Sequence, residues 1–60
     1  MSRIRTLVSQ AILSQRLTPQ IDQDIQRALQ EQQYISDDDY GAIALLMRAL
    51  DNGRILLETR

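Results

Sequence analysis

Sixty residues with seven arginines, no lysine and eight acidic side chains carry a net charge of −1, which leaves no strong field to hold nucleic acid or an anionic membrane. Cysteine and histidine are both absent, so disulfides and the commonest zinc ligands are excluded together. A chain this short buries only about 60% of its unfolded surface, so a single domain over residues 1–60 must draw its stability from regular helix packing or from association.

The first segment places Ile4, Leu7, Val8, Ala11 and Ile12 at the spacing that lines one face of an α-helix. With Ser2 as N-cap, a helix is expected from about Arg3 to Ser14. Leu13 falls off the stripe, either packing sideways against another element or marking the way out of the helix.

A second helix opens at Leu17-Thr18-Pro19, where Thr18 caps free amides and Pro19 has no amide hydrogen to leave unpaired. Its apolar stripe is narrow: Ile21, Ile25, Ala28 and Leu29, with every other position from Gln20 to Gln33 polar. It should lie on the surface, with Asp24, Arg27 and Glu31 spaced for weak pairs along the helix.

The third helix has the plainest start. Ser36 is a good N-cap, Asp37, Asp38 and Asp39 face the positive end of the helix dipole, and Ile35 is placed to staple onto Tyr40. Asp51-Asn52-Gly53 closes it with a glycine suited to a left-handed turn, giving a helix over Asp37 to Asp51. Tyr40, Ile43, Leu46, Met47 and Leu50 share one face, and Ala42, Leu45 and Ala49 a second beside it. A helix apolar around about two thirds of its circumference is expected to be central, contacted from more than one direction. The short apolar tail Arg54-Ile55-Leu56-Leu57 is expected to dock on the bundle in some form, the alternatives being an edge strand across a dimer or the start of a further element.

The fold expected is therefore all-α, a small three-helix unit with helix three central and a short apolar C-terminal tail. Arg16-Leu-Thr-Pro19, Ile35-Ser-Asp-Asp-Asp39 and Arg48-Ala-Leu-Asp-Asn-Gly-Arg-Ile55 together resemble small uncharacterised helical proteins of cyanobacterial type. That resemblance implies a compact helical fold and transfers no functional residue.

The chemistry-bearing residues support no reaction. The Asp37–Asp39 run lacks the alternating ligands, sixth-position glycine and twelfth-position glutamate of a calcium loop, so it is read as capping. Ser9, Ser14 and Ser36 have no evident activating partner, and two separated glycines cannot make a phosphate loop. The expectation is a non-enzyme without cofactor or metal. Met1 to Arg5 lacks the apolar stretch of a secretory signal, and the longest apolar run, Ala42 to Met47, falls far short of the roughly 20 residues of a membrane span. A cytoplasmic setting without membrane contact follows. Arg3 and Arg5 oppose the dipole of the first helix; they are either tolerated at the surface or meet acidic groups of a partner, such as Asp37–Asp39 of a second chain.

By exclusion, the expected function is a small protein–protein interaction or homo-oligomeric regulatory module, its partner a second copy or an unidentified protein. The candidate interface residues are Ala42, Leu45, Ala49, Ile55, Leu56 and Leu57, which equally suit a monomer core. The alternative is a small DNA-binding regulator using Gln20, Gln23, Arg27 and Gln30 on helix two, since Gln and Arg read base edges. Asp22, Asp24 and Glu31 on the same helix oppose the phosphate contacts such binding needs, so nucleic acid is the less favoured partner.

Overall fold

A computed structural model of the chain describes residues 2–58. Three helices, α1 (Arg3–Ser14), α2 (Pro19–Glu31) and α3 (Asp37–Asp51), are joined by short connections, with two-residue strands β1 (Arg16–Leu17) after α1 and β2 (Leu56–Leu57) after α3. Each helix starts at the residue whose side chain can cap it. The Ser2 hydroxyl accepts from the Arg5 amide at 3.4 Å, Thr18 from Ile21 at 3.2 Å and Ser36 from Asp39 at 3.2 Å. Pro19 occupies the first turn of α2, where its missing N–H costs nothing.

The core is made of Ile4, Val8, Ala11, Leu17, Ile25, Ala28, Leu46 and Ile55. Three of these eight lie on α1, and Ile4 and Ala11 are completely enclosed. The three-helix unit and its docked apolar tail are as the sequence predicts, but α1, not α3, lies at the centre. It packs against both α2 and α3 and against β1, while α2 and α3 scarcely touch. The reason lies in where the apolar excess of α3 goes. Only the arc around Leu46 faces inward, with Ala42, Ile43, Ala49 and Leu50 half-buried on either side of it. Tyr40, Leu45 and Met47, on the shoulders of that arc, remain 58–59% exposed. Leu13 does not pack sideways; it stands 85% exposed on the last turn of α1.

The tail docks by backbone pairing. β2 runs parallel to β1 with Arg16 opposite Leu56 and Leu17 opposite Leu57. The Leu56 amide donates to the Gln15 carbonyl at 3.0 Å and the Glu58 amide to the Leu17 carbonyl at 2.9 Å. Both strands follow a helix that ends in a left-handed residue, Gln15 at φ 59° after α1 and Gly53 at φ 79° after α3. The same local device thus turns the chain twice, each time into an arginine followed by a buried aliphatic residue: Arg16-Leu17 and Arg54-Ile55.

Ion pairs then fix the helix ends. Arg3 meets Glu31 at 3.2 Å, Arg5 meets Asp39 at 3.2 Å and Arg16 meets Glu58 at 3.5 Å. The pairs expected along α2 do not form. Glu31 turns to α1, Asp24 accepts from Gln20 Nε2 at 3.0 Å, and Arg27 has no carboxylate partner among the described residues. Likewise Arg3 and Arg5 find their acidic groups within the same chain rather than on a second copy. Antiparallel packing brings the end of α2 beside the start of α1, and that proximity outweighs the weak gain of a pair along one exposed helix.

Candidate functional site

Among the described residues no group of His, Cys, Asp or Glu is arranged to hold a metal ion, and no helix is long and apolar enough to cross a membrane. The acidic run at the start of α3 divides by role. Asp37 and Asp38 are exposed, while Asp39 is 2% exposed and completes a capping box by accepting from the Ser36 amide at 3.2 Å. The same oxygen, Oδ2, accepts from Gln32 Nε2 at 3.0 Å, and the other, Oδ1, pairs with Arg5 Nε. Hydrogen bonds from the Ser2 hydroxyl above all, then from the Ser36 amide, the Gln32 side chain and the Ser36 hydroxyl, outweigh desolvation. They lower the Asp39 carboxyl from 3.8 to about 2. Such a group is a fixed anion at neutral pH and serves structure, not proton transfer.

The same cluster explains where α2 stops. Gln32 adopts an extended backbone, and its side-chain amide bridges the Tyr34 carbonyl at 2.7 Å and Asp39. The polar run to Gln33 gives no hint of this, because the partner lies seven residues away in the next helix.

The six apolar candidates separate under the geometry. Ile55 is 3% exposed and belongs to the core, where the turn after Gly53 drives it under the end of α3. Ala42 and Ala49 are half-buried against the same core. Leu45, Leu56 and Leu57 are 59%, 63% and 59% exposed, among several large apolar side chains that the fold leaves open, Leu13, Tyr34, Tyr40 and Met47 being others. Beside Leu45 lies a cleft of about 410 Å³ between the C-terminal ends of α1 and α3, lined by Ile12, Leu45, Ala49 and Ile55 together with Arg48 and Arg54. Ile12 and the two arginines of this cleft were not singled out by sequence. Ile12 carries the signal of the α1 stripe, but only the crossing of α1 and α3 shows that its end of the stripe is uncovered.

Gln20, Gln23, Arg27 and Gln30 are all exposed on α2, at angles that set them on one side of the helix. Gln20 is engaged with Asp24, and the face carries a single arginine.

A family model described as the CdgR N-terminal three-helical bundle matches residues 5–57. The chain belongs to that family. The match spans α2 and α3 whole, all of α1 but its first two residues, and the β1–β2 pairing, so the docked tail lies within the family's bundle. No curated protein and no solved structure matches the chain.

Proposed function

We propose that this CdgR-type bundle is a non-catalytic protein–protein interaction module of the cytoplasm, and that its docking face is the end of the molecule bearing Leu45, Leu56 and Leu57, with Ala42 and Ala49 at its margin. The observation that carries the reading is the manner in which the tail is held. Its backbone is fixed to β1 and its first aliphatic residue, Ile55, is buried, yet both leucines of β2 remain about 60% exposed. Aliphatic side chains held out on an ordered backbone each offer about 1.5–3 kcal/mol on full burial, with little conformational entropy left to lose.

Self-association into a homodimer is the form of this reading to test first, because a two-stranded ladder leaves the outer edge of β2 unpaired, and an unpaired edge is a template for another strand. Sedimentation velocity over a wide concentration range reads it directly. The expected result is a mass that rises towards that of a dimer for the native chain and stays at that of a monomer for the triple variant Leu45→Gln, Leu56→Gln, Leu57→Gln. A native chain that stays monomeric at millimolar concentration removes self-association and leaves the face to a different protein. If that chain also fails to bind in the selection described below, the module reading itself falls.

A further inference from the structure

Charge is distributed unevenly around this bundle. Arg3, Arg5 and Arg16 are each tied to a carboxylate of the same chain, at 3.2, 3.2 and 3.5 Å. Arg48 and Arg54 have no carboxylate partner among the described residues, and both line a cleft whose floor is aliphatic, made by Ile12, Leu45, Ala49 and Ile55. Two helices end beside this cleft, and free carbonyls there would supply opposing negative charge. Several are taken up: the Gln15 amide donates to the Ala11 and Ile12 carbonyls, Asn52 to Arg48, Gly53 to Leu50 and Arg54 to Ala49. The charged side chains lining the cleft are these two guanidinium groups, with no carboxylate among its lining residues.

From this geometry we infer that the cleft between α1 and α3 takes an acidic segment of another protein, with an aliphatic side chain seated against Ile12 and Leu45 and flanking carboxylates paired with Arg48 and Arg54. The inference rests on the reading of this end as a docking face and names the partner's chemistry. At about 410 Å³ the cleft lies within the range of ligand-sized sites, roughly 300–1,000 Å³. Its apolar floor requires a side chain that gains by leaving water, which a nucleic-acid backbone does not present. Arginine is suited to the rim because its fork pairs with a carboxylate through two parallel hydrogen bonds. Two cations on a chain of net charge −1 give local selection for acid without general attraction to polyanions.

The test is selection of a displayed library of random twelve-residue peptides on the full chain, followed by fluorescence anisotropy with the enriched peptides. The expected outcome is enrichment of Asp or Glu flanking Leu or Ile. Binding should weaken at least tenfold in Arg48→Glu and in Arg54→Glu, and fall as salt is raised. Circular dichroism of both exposed-site variants should match that of the native chain, so a loss of binding is not a loss of fold. Enriched peptides that are neutral or basic, or that bind the double charge reversal equally well, overturn the inference. If those peptides are instead lost with Leu56→Gln and Leu57→Gln, the docking face stands while the cleft is excluded. No enrichment over a bare surface overturns the inference.

Discussion

Arg5 Nε lies 3.2 Å from Asp39 Oδ1, linking the first turn of the central helix to the first turn of α3. Because Asp39 also accepts from Ser36 and Gln32, this one carboxylate ties α1, the end of α2 and the start of α3 together. Its pKa is about 2 in the fold against an ordinary 3.8. The folded state therefore binds the proton less readily than the unfolded state, and ionised Asp39 favours folding. That contribution is complete above about pH 3.8 and disappears as the pH falls through about 2. Thermal melts between pH 1.5 and 7 should show the native chain losing its advantage over Asp39→Asn across this window. Asp39→Asn should melt lower at pH 7.

Gln15 holds a left-handed backbone at φ 59°, a conformation that costs residues with a Cβ roughly 1–2 kcal/mol. Gln15→Gly should raise stability by about 0.5–1 kcal/mol, after allowing for the greater freedom glycine has when unfolded. Gly53→Ala should do the reverse at the matching turn, where φ is 79° although the space for a Cβ is open. Chemical denaturation of the two variants checks both signs.

Gly41 lies inside α3 with nothing within 4 Å of where a Cβ would be. Gly41→Ala should therefore stabilise the folded monomer by about 0.5–1 kcal/mol. A lower midpoint in urea would contradict the open surface described at this position.

Ile4 is fully enclosed whereas Leu13 is 85% exposed. Truncation of Ile4 to Ala should cost about 2–5 kcal/mol, enough to unfold much of so small a domain, while Leu13→Ala should stay within about 0.5 kcal/mol of the native chain. Far-ultraviolet circular dichroism at 25 °C separates the two cases.

Local chemistry made the helix boundaries legible. Ser2, Thr18-Pro19, Ser36 and Gly53 act within one turn of themselves, so their consequences can be read from neighbours in sequence. The interior depended on pairings that no neighbour encodes. The apolar richness of α3 suggested a central helix, yet Ile4, Val8 and Ala11 place α1 there, since its stripe is the one covered from both sides. Ile55 and Leu56 look alike in sequence and differ twentyfold in exposure, 3% against 63%, because one follows the turn under α3 and the next joins β1. The cleft was illegible for the same reason: Ile12 and Arg48 meet only across the α1–α3 crossing.

The parallel pairing of Leu17 with Leu57 also governs when the domain can exist during synthesis. The residues that complete the ladder lie forty positions apart, and loop-closure entropy must be met before such a contact returns any free energy. A ribosome-bound chain ending near Gly53 has all three helices but lacks both Ile55, which fills the base of the core, and the amides that bond Gln15 and Leu17. Folding is thereby deferred until the last few residues of the bundle emerge, and the exposed leucines of β2 take their place at the moment the core closes.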